Sequence, residues 1–92
     1  MKPIKNSKEK TPHQRKVSGL PRTYTAVVEK EGDGFVALCP ELDVVSQGQS
    51  VEEARANLRE AVELFLECAS PREIKDRLHP EVYVTAFETA NR

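Results

Sequence analysis

The sequence predicts an α+β domain: a three-stranded antiparallel meander, one long amphipathic helix, a short second helix and then a fourth strand. Three observations carry that expectation. Residues Ser50 to Cys68 have helical apolar periodicity behind a capping box. Two β-branched runs flank the acidic glycine turn Glu31-Gly32-Asp33-Gly34. A last apolar run, EVYVTAF, follows His79-Pro80. Strands grouped ahead of a helix that must cover them make the layered α+β arrangement.

Thr23 to Lys30, TYTAVVEK, is rich in residues that favour strands, and Phe35 to Cys39 is its hairpin mate, stopped by Pro40, which has no N–H to donate. Val44 to Gln49 reads as a third, shorter strand. In the long helix, Ser50 and Glu53 can each satisfy an orphan backbone N–H at the start. Ala54, Leu58, Ala61, Val62, Phe65 and Ala69 then form one stripe, with Glu52, Arg55, Arg59, Glu60, Glu63 and Glu67 opposite. Ser70-Pro71-Arg72-Glu73 restarts a helix that ends before His79-Pro80. Glu81 to Thr89 is the fourth strand, giving the order β-β-β-α-β with the short helix interposed.

Charge divides the chain. Residues 1–22 hold seven Lys/Arg against Glu9, a net +6, whereas residues 23–92 hold seven against fourteen Asp/Glu, a net −7. The first 22 residues carry Pro3, Pro12 and Pro21 and few aliphatics, too little apolar surface to offset ordering entropy. They read as a disordered basic tail, with the folded domain over 23–90. The tail lacks the apolar centre of a signal peptide and no stretch is long enough to span a membrane, so a cytoplasmic protein is expected. Cys39 and Cys68 lack metal spacing and read as two buried free thiols.

A domain of this size is marginal alone and benefits from a partner subunit. Tyr24, Ala26 and Val28 share one side of the first strand, and Phe35, Ala37 and Cys39 one side of the second. Val27, Val36 and Leu38 face the other way, joined by either Val82 and Val84 or Tyr83 and Phe87. One helix covers one face, and exposed apolar patches mark interfaces. The expectation is a homo-oligomer using Val36, Leu38, Leu64, Tyr83 and Phe87.

Catalysis finds little support. His13 lies in the tail and His79 beside Pro80, neither near a nucleophile in sequence. Glu29, Glu31, Asp33, Glu41 and Asp43 could hold a divalent metal, but solvated turn carboxylates are commoner. No phosphate-binding glycine loop and no aromatic ladder for RNA is visible. No cofactor is expected. The acidic residues suit a basic protein surface, where charge complementarity speeds encounter.

The stretch YTAVVEKEGDGFVALCPELDVVSQGQSVEEARANLREAVELFLE resembles the HicB antitoxin family in its HicB-like domain. The resemblance rests on the acidic turn and aromatic-led strand at Glu31 to Phe35, CPEL at Cys39 to Leu42, the GxS turn at Gly48 to Ser50, and the helix start at Glu52 to Leu64. Val82 to Phe87 suits the family's last strand. It implies a trimmed RNase H fold without nuclease activity, because the first strand centres on Ala26-Val27-Val28 rather than carboxylates. It further implies dimers or higher oligomers and a small basic mRNA-cleaving toxin, HicA, as partner. Expected toxin contacts are Glu31, Asp33, Phe35, Glu41, Leu42 and Asp43. Many HicB antitoxins carry a C-terminal DNA-binding domain; with the sequence stopping at Arg92, sequence-specific DNA binding is not expected.

The competing expectation is an orphan HicB-like regulator that touches nucleic acid through Lys8, Lys10, Arg15 and Lys16. It predicts a salt-sensitive gel shift that disappears on deleting residues 1–22; no shift at low salt refutes it.

Overall fold

A computed structural model describes residues 20–91 of the chain. Strand β1 (Val27–Glu31) turns into β2 (Gly34–Cys39), and β2 returns through residues 40–43 into β3 (Val44–Gly48). Helix α1 (Val51–Cys68) and the short helix α2 (Pro71–Arg77) follow. The sheet is antiparallel in the order β1-β2-β3. The α+β meander and both helices are as the sequence predicts.

Local chemistry explains each junction. The β1–β2 hairpin closes on Glu31 opposite Gly34, with Gly32 at φ +59° in the first central position, the pattern of a type II′ turn. β1 starts four residues later than the sequence suggests. The register would set Thr25 opposite Pro40, which has no N–H for the ladder. The Thr25 N–H instead donates to the Glu41 carboxylate at 3.0 Å. At α1, the Ser50 hydroxyl accepts from the Glu53 N–H and the Glu53 carboxylate accepts from the Gln49 N–H. Ser70 caps α2 in the same way, with Pro71 in the first turn.

The core lies between one face of the sheet and α1. Ala54, Leu58 and Val62 of α1 are buried against Ala37, Cys39 and Leu42, with Tyr24, Val28, Phe35 and Phe65 packed around them. The helix lies chiefly over β3 and β2 and only marginally over β1. Gly48 sets this seat. A Cβ there would stand 2.5 Å from the Ala54 backbone nitrogen and 2.8 Å from the Glu53 carbonyl carbon.

Two expectations need correction. Residues 81–89 form no strand: they pair with no edge among the described residues and remain exposed apart from half-buried Val82. Local alternation specifies a strand's faces, not the edge on which it must lie. Cys68 is exposed, because it falls beyond the seam of the α1 stripe; Cys39 is buried, and both are free thiols. Residues 1–19, with Lys8, Lys10, His13, Arg15 and Lys16, lie outside the described residues. Among those described, no helix is long and apolar enough to cross a membrane.

The close approach at Gly48 makes Gly48→Ala an overpacking substitution. Urea unfolding should show a loss of about 1–3 kcal/mol, with the helix backbone rather than a flexible side chain forced to move.

Candidate partner-binding surface

The register divides the sheet's side chains between two faces. Ala26, Val28 and Lys30 share the α1 face with Phe35, Ala37 and Cys39, and the Lys30 ammonium sits 5.1 Å from the centre of the Phe35 ring. The opposite face, which no described element covers, presents Val27, Leu38 and Val45 in one row across the three strands. Glu29, Val36 and Gln47 form the next row, and Glu31 lies beyond Glu29 at the hairpin end. Val45 is 58% exposed. Val27, Val36 and Leu38 are half-buried, and Glu29 and Glu31 are exposed. No Lys or Arg side chain from the three strands shares this face. It is an apolar patch with an acidic margin.

Residues 41–43, at the other end of β2, are built for support. Glu41 is only 6% exposed yet carries a carboxylate. Its oxygens accept from the Thr25 N–H at 3.0 Å, the Thr25 hydroxyl at 2.7 Å and the Cys39 thiol at 3.4 Å. Burial pushes its pKa upward, but the Thr25 hydroxyl and amide, helped by its own backbone and the Cys39 thiol, outweigh burial and hold it below the ordinary glutamate value. Desolvation, a hydrogen bond to Glu41 and that carboxylate's charge raise the Cys39 thiol against weaker backbone opposition. The neighbouring Tyr24 hydroxyl is likewise raised, first by burial and then by Cys39 and Glu41, and is buried with no hydrogen-bond partner among the described residues.

Helix α2 clamps the same connection. Arg77 donates to the Leu42 carbonyl at 3.1 Å and the Asp43 carbonyl at 2.9 Å while its guanidinium lies 4.9 Å from the Phe65 ring centre. The His79 N–H donates to the Glu41 carbonyl at 2.7 Å. Asp43, at φ +57°, places its carboxylate 3.4 Å from His79 Nε2.

The residues expected to meet a partner therefore separate. Glu31 and Asp33 are exposed at the hairpin. Phe35 is half-buried on the α1 face, Leu42 is fully buried, and Glu41 is engaged internally, so these three correct the expectation of a contact surface. Asp43 is exposed, but β2 separates it from the hairpin tip by about 17 Å at 3.3 Å per residue. Val36 and Leu38 lie on the bare face. Leu64 is exposed on the helix, while Tyr83 and Phe87 are exposed in the terminal segment, so the five expected interface residues do not make one patch. Val45 and Glu29 complete the bare face; alternation groups Glu29 with Val27 within β1, and the register sets Val45 beside Leu38. Among the described residues, no group of three or more His, Cys, Asp or Glu is arranged to hold a metal ion.

The chain is similar to two curated proteins. A UPF0150 protein of Helicobacter pylori is 52% identical over 42 residues, covering 45% of this chain and 58% of that protein. A UPF0150 protein of Synechocystis is 50% identical over 46 residues, covering 48% of this chain and 58% of that protein. The chain thus spans less than two thirds of the length of either relative. No family model and no solved structure matches.

The Glu41 clasp makes an acid-side prediction. A carboxylate whose folded pKa is depressed stabilises the fold above its unfolded value and loses that contribution as pH falls. Stability should fall as pH drops below about 4.5, the ordinary value. Glu41→Gln should cost about 1–3 kcal/mol at neutral pH and flatten that acid limb; urea titrations at pH 7 and pH 3.5 read both.

Proposed function

We propose that this chain is a non-catalytic, antitoxin-like protein that binds and neutralises a small basic mRNA-cleaving toxin of the HicA type, within a type II toxin–antitoxin system. The observation carrying this reading is the bare sheet face: Val27, Leu38 and Val45 beside Glu29 and Glu31, with no strand Lys or Arg on that side. An apolar centre with a charged rim is the usual anatomy of a protein interface. An acidic rim selects a basic partner and accelerates encounter. The resemblance to HicB-like domains in CPEL, GxS and the helix start supports the same assignment, and the acidic balance of residues 23–92 agrees with it.

Neutralisation would follow from coverage. A toxin surface that grips RNA must be cationic, and seating it on this acidic margin removes it from phosphates. The chain need supply no reacting group. Its rigid meander holds the face, while Glu41 and α2 secure the end remote from the hairpin.

The second reading, an orphan regulator contacting nucleic acid through the tail, is favoured by the +6 charge of residues 1–22 beside a −7 body. The two readings diverge on charge reversal of the sheet face. Glu29→Lys with Glu31→Lys should weaken toxin binding at least about tenfold and abolish rescue of growth on co-expression with a small basic toxin, without lowering the melting temperature. Unchanged binding and rescue would remove the sheet face from the interface.

A further inference from the structure

The bare sheet face needs cover whenever no partner occupies it. Val27, Leu38 and Val45 cross it in one row, Val45 is 58% exposed, and no described element lies over them. Beside them stand Glu29 and Glu31, without a strand Lys or Arg on that side to balance them. A segment that covers such a surface must bring both aliphatic side chains and positive charge. The outer side of α1 is acidic too, but Arg55 and Arg59 share it, and Arg59 Nε already lies 3.1 Å from a Glu63 oxygen.

One segment of this chain has that chemistry. Residues 1–19 hold six Lys/Arg against Glu9, a net +5, with Ile4 and Val17 among them. Residues 80–91 hold Glu81 and Glu88 and no Lys or Arg, so the terminal stretch cannot match the charge. The basic segment also joins the sheet at the right place, because it leads through residues 20–26 into β1. The backbone bends at Arg22. Leu20 and Pro21, just before the bend, are half-buried, and Leu20 is not among the side chains packed on the α1 core. In a chain that turns back there, residues equally distant from Arg22 come level. Val17 and Val27 stand five residues to either side, and Arg15 and Glu29 seven. Aliphatic then meets aliphatic, and cation meets carboxylate. Length is no obstacle: residues 1–19 can reach roughly 60 Å, whereas the five residues of β1 run about 17 Å.

We propose that residues 1–19 fold back over the bare face of their own chain, Val17 toward Val27 and Arg15 toward Glu29, and compete there with a basic partner. The competition rests on the toxin reading above; the fold-back contact does not. A tethered segment acts at an effective concentration in the millimolar range, so a weak contact is enough to hold it. A partner then binds only the molecules whose arm is released, and its apparent affinity falls by that fraction.

The test begins with the isolated full chain. A nitroxide at Gln14→Cys, with the exposed Cys68→Ser and Cys39 left buried, should broaden the amide signals of Val27, Glu29, Leu38 and Val45. Arg55 and Glu63, on the far side of α1, should be spared. Arg15→Glu with Lys16→Glu should abolish the broadening, and adding Glu29→Lys with Glu31→Lys to that variant should restore it. With isotope and nitroxide on separate chains, no broadening should appear. Absent broadening, broadening indifferent to charge reversal, or broadening between chains would each overturn the proposal. The toxin of the co-expression experiment should bind the Arg15→Glu, Lys16→Glu variant at least about threefold tighter; unchanged affinity would overturn the competition. A sheet face that binds no toxin would still show the intrachain broadening, so the two failures are distinguishable.

Discussion

One helix can shield one side of a three-stranded sheet, and where that helix sits is decided by the contact between Gly48 and the first turn of α1. The absence of a side chain at Gly48 lets the backbones at Ala54 and Glu53 approach to a distance that any other residue would forbid. Leu58 and Val62 then drop onto Ala37, Cys39 and Leu42 in succession. Because the seat lies at the β3 end, the helix leaves β1 poorly covered. The thin cover over β1 follows from that off-centre seating, whereas the bare acidic face follows from a single helix layer on the other side of the sheet.

The buried end of the meander solves a different problem. Pro40 interrupts the ladder at the point where the chain must enter β1, and the Glu41 carboxylate replaces the lost pairing by gripping Thr25 through both its amide and its hydroxyl. Taking an ionised group out of water is costly unless its lone pairs are filled. Three protein donors fill them here, without a cation at contact distance among the described residues. Arg77 reinforces the same corner through carbonyl oxygens rather than through Glu41.

What could be read in the sequence was mostly local. The bounds of α1, its Ser50 cap, the hairpin glycine and the restart at Ser70 follow from interactions spanning four residues or fewer. The division of β1 and β2 into two faces follows from alternation. Long-range facts were hidden. An acidic residue after a proline looks like a solvated turn, and only the approach of Thr25, sixteen positions earlier, turns Glu41 inward. EVYVTAF has the composition of a strand, but composition does not say which sheet will accept it. The candidate surface is therefore half legible: the sequence assigns Glu31 to a toxin contact and Val36 and Leu38 to a homo-oligomer interface, and only the register joins them with Glu29 and Val45 on one face.

The anchorage of α1 at Gly48 also has a mechanical side. About 27 Å of helix extends from that fulcrum at 1.5 Å per residue, and its far end leads directly into α2 and the Arg77 clamp. The same rod links the β3 end of the sheet, at Gly48, to the corner that holds Glu41, where Arg77 grips the Leu42 and Asp43 carbonyls.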